Sequence, residues 1–101
     1  MIGNVSFTIE ADPDDKKELF KMFSEKGVKI RRFRMDTPDA IEWIFFVANV
    51  LRGLKELYGF LILKKEKKVE INIRHNEKII SVNSKNAEYL KVYIDELTNK
   101  E

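Results

Sequence analysis

The segment TPDAIEWIFFVANVLRGLKELYGFLILKK, residues 37–65, decides which fold the sequence predicts. Pro38 with Asp39 beside it is typical of a helix start, because the fixed φ of proline suits the first turn and a carboxylate is favoured near the free amides. Apolar residues then recur at helical steps of three and four, at Ile44, Val47, Ala48, Leu51, Leu54, Tyr58, Leu61 and Ile62. The spacing predicts one helix over residues 40–63, with Gly53 and Gly59 as the places where it would bend.

The predicted helix also carries large apolar side chains outside that stripe, namely Phe45, Phe46, Phe60 and Leu63. About 26 residues rising 1.5 Å each make a rod of ~39 Å, whereas a compact domain of this length has a radius of gyration near ~13 Å. We therefore predict that the helix overhangs its own domain, or packs against a second copy or a partner. In the alternative, the helix breaks at Gly59 and residues 60–63 form a short buried strand.

Composition limits the class of protein. With 101 residues, 44% of them hydrophobic and 36% charged, the chain is expected to fold as a single domain over residues 1–101. The absence of cysteine excludes disulfides, thiolate nucleophiles and cysteine-bound zinc. The first four residues lack the features of a signal peptide, and the longest uncharged run of the long helix, residues 43–51, is too short to cross a membrane. We therefore expect a cytoplasmic protein with no membrane partner.

The remaining segments complete an α+β pattern. Residues 5–9 alternate as a strand, and a helix follows that is capped by Asp12, begins at Pro13 and is ended by Gly27. A strand over residues 28–35 precedes the long helix, and a hairpin over residues 69–82 turns at Asn76. A final helix follows, capped by Ser84 or Asn83. The order βαβαββα predicts a two-layer sandwich, with a four-stranded sheet, helices on one face and one long central helix.

This succession resembles the effector-associated constant component family, small domains of prokaryotic conflict systems. The resemblance lies in a short alternating strand that ends in Asp (5–12), a long helix that runs into a basic tail (40–68), and a terminal strand-turn-strand-helix (69–97). The long helix of that family is usually rich in Gly and Ala, whereas this one carries Trp43 and several phenylalanines. The resemblance implies a non-enzymatic adaptor that couples a sensor or protease to an effector, and it assigns no functional residue.

Residues 26–34 hold five basic side chains and no acid. Guanidinium groups with an interleaved aromatic ring could grip phosphates and stack a base, so the possible nucleic-acid-binding residues are Lys29, Arg31, Arg32, Phe33 and Arg34. In the alternative, charge protects an edge strand from aggregation. Seventeen acidic residues in the chain, which leave a net charge of +2, argue against a positive field over the whole domain.

No residue pattern points to a reaction. His75 is the only histidine, and it is predicted to be a solvated turn residue, since no acid or nucleophile is positioned near it. Asp12, Asp14 and Asp15 lack the glycine and the distal Glu of a calcium loop, and they fit a helix start better. The glycines stand too far apart to form a phosphate loop. We therefore predict no enzyme, no catalytic residue, no metal and no cofactor.

These observations favour a non-catalytic protein–protein interaction module, of the adaptor type and from a prokaryotic defence or conflict system. It would form a homo-oligomer or bind another protein through the outer face of the long helix. The predicted protein-interface residues are Trp43, Phe45, Phe46, Phe60 and Leu63. In the alternative, the chain is a nucleic-acid-binding or phage-type inhibitor protein that uses the basic strand over residues 26–34.

Overall fold

The computed structural model describes residues 5–34 and 41–100 and gives an α+β fold, as predicted. The elements in chain order are β1 (Val5–Glu10), α1 (Pro13–Glu25), β2 (Ile30–Arg34), β3 (Ile41–Phe45), a 3₁₀ turn (Val47–Asn49), α2 (Val50–Leu63), β4 (Glu70–His75), β5 (Lys78–Asn83) and α3 (Glu88–Lys100). None of these helices is long and apolar enough to cross a membrane.

The sheet has five antiparallel strands in the order β2-β3-β1-β4-β5. β1 lies in the centre and pairs with β3 on one side and with β4 on the other. The prediction of four strands was wrong, since it omitted β3. That strand comes from the stretch that was expected to open the long helix.

All three helices pack on one face of the sheet. α1 contacts β1 through the rings of Phe23 and Phe7, whose centroids are 5.9 Å apart. α2 passes so close to β3 that a Cβ on Gly53 would lie 2.2 Å from the ring of Phe45. α3 places Tyr93 against His75 at the end of β4, with ring centroids 5.9 Å apart. The core therefore lies between the helices and this face, and the opposite face of the sheet carries no described helix.

The single long helix over residues 40–63 was a wrong prediction. Residues 41–45, IEWIF, alternate along a strand and consist mostly of β-branched and aromatic residues, which suit a pleated, half-buried surface. α2 therefore has 14 residues and a length of about 21 Å. It fits within a molecule that measures 34 × 31 × 26 Å, so α2 does not extend beyond its own domain. The proposed helix start at Thr37-Pro38-Asp39 lies outside the described residues.

α2 is continuous through Gly53 and Gly59, so the alternative of a break at Gly59 was also wrong. The buried face of α2 is rotated relative to the predicted one. Leu57, which the predicted stripe omitted, is buried, whereas Ile62, which it included, is 49% exposed. The buried positions are Val50, Gly53, Leu54, Leu57, Phe60 and Leu61, which recur at helical spacing.

The predicted turn residues are confirmed. Gly27 has φ +70° just after α1, and the amide of Val28 donates to the carbonyl of Phe23 at 2.9 Å, which closes the helix in a Schellman-type end. Asn76 has φ +58° in the turn between β4 and β5, a conformation that asparagine tolerates better than most residues. These turns set where β2 and β5 begin.

Candidate functional site

The five predicted interface residues do not share one surface. Phe45 and Phe60 are 2% and 0% exposed, so the prediction that they lie on an outer face was wrong: both belong to the core. Leu63 is 64% exposed, but it ends α2, about 20 Å along the axis from the beginning of that helix. Trp43 is partly buried, and Phe46 is 41% exposed. Only Trp43 and Phe46 occur together at one site.

That site is an open groove between α1 and the β2–β3 edge of the sheet. The ring of Trp43 on β3 lies 4.2 Å, centroid to centroid, from the ring of Phe20 on α1. We call it the aromatic groove and define it by its lining residues, Phe20, Phe23, Ser24, Gly27, Val28, Lys29, Ile30, Trp43 and Phe46. The lining is mainly apolar, and Phe46 and the adjoining Val47 (60% exposed) extend it into solvent.

Local geometry explains how the groove forms. On α1, Phe23 contacts the core rings of Phe7 and Phe45, whereas Phe20, three residues earlier, is only partly buried. The left-handed turn at Gly27 then brings the chain back beside α1. As a result, Val28 is buried next to the helix that precedes it. The groove is thus an extension of the core to the surface.

Strand alternation divides the predicted basic patch between the two faces of the sheet. Arg32 pairs with Trp43, and paired residues of an antiparallel ladder present their side chains on the same face, here the helix side. Arg31 pairs with Ile44 and therefore lies on the opposite, open face. Lys29 precedes β2 and lines the groove. Phe33 and Arg34 belong to β2, but their side chains lie outside what the structure describes.

The charge around the aromatic groove is positive. Lys29 is an exposed lining residue, and none of the described lining residues is acidic. On the open face of the sheet, by contrast, a guanidinium nitrogen of Arg74 lies 3.8 Å from a carboxylate oxygen of Glu42. The hydroxyl of Ser81 also donates to the amide oxygen of Asn72 at 2.6 Å. The open face is therefore the more polar of the two, although Arg31, Arg32 and Arg74 beside Glu42 leave it positive as well.

His75 is not the solvated turn residue that the sequence predicted. It ends β4, is partly buried and forms a hydrogen bond between its Nδ1 and the hydroxyl of Tyr93. Burial raises the pKa of Tyr93 to about 12, and the charge of Glu96 contributes in the same direction. The tyrosine therefore keeps its proton through the neutral range, and the pair links α3 to the β4–β5 hairpin.

An ion cluster around the buried Asp15 joins α1 to the connector that follows α2. Asp15 is only 3% exposed, and its Oδ1 lies 3.1 Å from Nζ of Lys64 and 3.3 Å from Nζ of Lys67. The same Lys64 nitrogen is 2.9 Å from a carboxylate oxygen of Glu18. Burial alone would raise the pKa of Asp15, but the hydrogen bonds from the two lysines outweigh burial and hold it below its ordinary value. Hydrogen bonds to Glu18 and Asp15 raise the pKa of Lys64.

We expect Asp15 to contribute to stability in neutral solution and to lose that contribution in acid. Because its pKa is lowered in the folded state, the contribution is complete above the unfolded-state pKa of about 3.9 and disappears as the pH falls through the folded-state value. Thermal unfolding followed by circular dichroism from pH 7 to pH 2 should show a lower midpoint for Asp15→Asn at pH 7. The difference from wild type should shrink below pH 4.

The control for this prediction is Asp14→Asn, which changes an exposed carboxylate in the same helical turn and should leave the profile close to wild type. An Asp15→Asn profile that runs parallel to wild type across the whole pH range would contradict the role given to this cluster.

Comparison with known proteins adds no constraint to the site. No family model matches the chain, and no match was found among curated proteins or among solved structures. The resemblance to the effector-associated constant component family therefore stays a prediction. Among residues 5–34 and 41–100, no group of three or more His, Asp or Glu side chains is placed to hold a metal ion. The geometry of the aromatic groove is therefore the basis on which a function can be proposed.

Proposed function

We propose that this chain is a non-catalytic protein-interaction module that binds its partner in the aromatic groove. The observation that carries the proposal is the set of Phe20, Trp43 and Phe46 at the surface, where two rings lie 4.2 Å apart and the third is 41% exposed. Aromatic residues gathered in a solvent-open groove are typical of association sites, because covering them removes apolar area from water at little entropic cost.

The surface that supports this proposal differs from the predicted one. An outer face of a long helix would have offered Phe45 and Phe60, which belong to the core instead. Trp43 and Phe46 keep their proposed role as contact residues, and Phe20 and Ile30 join them. An adaptor role in a prokaryotic conflict system, as the family resemblance implies, is part of the same proposal.

The nucleic-acid alternative has weaker support. Phosphate binding gains from several cations on one surface, and the pocket that Arg31, Arg32 and Arg74 line also contains the acidic Glu42. On the open face, the charge of Arg74 is partly balanced by Glu42. Of the proposed set, Lys29 is the described residue that lines the aromatic groove, and Phe20 and Trp43 there pack against each other instead of standing apart to stack bases.

Selection from a peptide-display library tests the proposal, with the immobilised chain as bait. We expect enrichment of peptides that bind wild type in the micromolar range and lose at least about tenfold in affinity on Phe46→Glu, because a charge in the groove must be desolvated against apolar side chains. Isothermal titration with the selected peptides provides the measurement. The matched control is Tyr89→Glu, which changes another exposed aromatic residue, on α3 (66% exposed), and should leave binding unchanged.

Two outcomes would reject this function. One is no enrichment above a bait of unrelated sequence. The other is a set of selected peptides whose affinity for Phe46→Glu equals that for wild type, because such peptides would bind elsewhere. Circular dichroism spectra of both variants, compared with that of wild type, distinguish a loss of binding from a loss of folding.

A further inference from the structure

We infer that the partner presents an extended acidic segment, which pairs with the edge of β2 and extends the sheet by one strand. This inference rests on the proposed function and specifies the occupant of the aromatic groove. It depends on three features of the groove: the backbone groups at its border, the side chains inside it and the charges around it.

The first feature is the edge of the sheet. β2 is the terminal strand, and no described strand pairs with its outer side. The carbonyl of Lys29 accepts a hydrogen bond from the amide of Phe46 at 3.2 Å. In an antiparallel ladder, bonded pairs alternate with non-bonded pairs, so the backbone amides and carbonyls of Ile30, Arg32 and Arg34 face away from β3. They offer an added strand a row of hydrogen-bonding groups, the requirement for strand addition.

The second feature is the groove beside that edge. Ile30 pairs with Phe45 and Arg32 pairs with Trp43, so both Ile30 and Arg32 lie on the helix side of β2. Successive side chains of an added strand would alternate between the two faces of the sheet. Those on the helix side would pack against Ile30 and enter the groove formed with Phe20 and Trp43. An extended segment with apolar residues at alternate positions therefore matches both the edge and the groove.

The third feature is charge. Residues 26–34 contain five basic side chains and no acid, and like charges directly opposite each other on paired strands are destabilising. A second copy that paired antiparallel at this edge would bring arginines opposite arginines. A strand with apolar residues in the groove and glutamate or aspartate at the intervening positions would instead place its acids on the open face, where Arg31 lies. Charge complementarity thus favours an acidic partner over self-association through this edge.

A comparison of two peptides of opposite charge tests whether β2 prefers an acidic partner. The probes are two fluorescein-labelled peptides of about ten residues, one alternating Glu with Val and the other alternating Lys with Val, measured by fluorescence anisotropy in low salt. Wild type should bind the Glu peptide at least about tenfold more tightly, since opposite charges on paired strands are stabilising and like charges are destabilising. Lys29→Glu/Arg31→Glu should reverse the preference, because the Glu side chains of the peptide would lie on the same face of the sheet as Arg31. The control is Lys78→Glu, which changes an exposed lysine on β5, the other edge strand, and should keep the wild-type preference.

Backbone methylation tests strand addition itself. Two versions of the Glu peptide carry N-methyl groups on alternate residues, one version on the odd positions and the other on the even positions. Because only one set of amides would face β2, one version should lose at least about tenfold in affinity while the other binds nearly as well as the parent. Equal affinities for the two versions would overturn strand addition.

The outcomes separate this inference from the function on which it rests. If groove-dependent peptides are selected but prove neutral, helical or indifferent to Lys29→Glu/Arg31→Glu, the inference fails and the interaction module stands. If nothing binds the groove, both fail. Sedimentation that shows a wild-type dimer disrupted by Arg32→Glu would assign the edge to a second copy. A single-stranded oligonucleotide that displaces the Glu peptide and binds more tightly would assign it to nucleic acid.

Discussion

Replacing Phe45 with alanine is expected to lower the free energy of unfolding by about 3–5 kcal/mol, the cost typical of a deleted core ring. Phe45 is 2% exposed. Its ring stacks on Phe7 with centroids 5.0 Å apart and meets Phe23 edge-on at 5.8 Å. Truncation would leave a cavity at the point where β1, β3, α1 and α2 meet. The total free energy of unfolding of a domain is about 5–15 kcal/mol. This variant should therefore be only marginally stable.

Urea denaturation followed by the fluorescence of Trp43, the only tryptophan, measures this effect. The matched control is Phe46→Ala at the next position, where the side chain is 41% exposed and the expected change is below about 0.5 kcal/mol. The long helix would have placed both rings on one outer face, so the pair of variants also distinguishes the strand from that helix. Equal losses for the two variants would contradict the assignment of residues 41–45 to β3.

Replacing Gly53 with alanine is expected to destabilise the protein by about 1–3 kcal/mol, although alanine is the better helix former. A Cβ at this position would lie 2.2, 2.5 and 2.8 Å from three carbons of the Phe45 ring. That ring is held between Phe7 and Phe23 and has no open space to enter. α2 would have to move away from β3, so the gain of about 1 kcal/mol in helix propensity is outweighed.

Gly59 in the same helix provides the matched control. A Cβ there meets no atom within 4 Å, so Gly59→Ala should raise the free energy of unfolding by about 0.5–1 kcal/mol through helix propensity and a less flexible unfolded chain. The two substitutions should therefore change the free energy of unfolding in opposite directions. If both stabilise the protein, the close approach of α2 to β3 is contradicted. A double mutant with Phe45→Leu should recover part of the Gly53→Ala loss, because the two positions share one space.

These core predictions bear on the groove because the two regions share residues. Phe23 packs on Phe7 and Phe45 and also forms part of the groove floor. Substitutions at Phe23 or Phe45 would change folding and binding together. Phe46, Lys29 and Arg32 are exposed and can be changed with little effect on the core. Binding experiments should therefore use these exposed positions and leave the core rings intact.

Local sequence was sufficient for elements whose signals do not depend on distant partners. The alternation of residues 5–9, the Asp-Pro start and Gly27 end of α1, and the Asn76 turn each correspond to the observed structure. The stripe of Ala87, Leu90, Ile94 and Leu97 is buried as the helical spacing predicted. Backbone conformation at turns and caps is set by neighbouring residues, which is why these predictions were correct.

Residues 41–45 could not be assigned in this way. Ile44 fits a helical repeat with Val47, Ala48 and Leu51, while Ile41, Trp43 and Phe45 fit a strand repeat. The choice depends on β1 and β2, which pair with the segment on both sides, and strand preference follows such neighbours more than the residues themselves. Interactions between residues far apart in the chain therefore decided the fifth strand.

The sequence by itself determined that this chain is an α+β protein with a basic segment at residues 26–34 and more aromatic side chains than one amphipathic helix needs. The tertiary structure alone decided which of those rings are exposed and which basic side chains lie beside them. Phe20 and Trp43 are 23 positions apart, and they meet only because α1 packs over the edge of the sheet that β3 helps to build. A periodic pattern specifies a face of one element, whereas a groove requires the packing of several elements against one another.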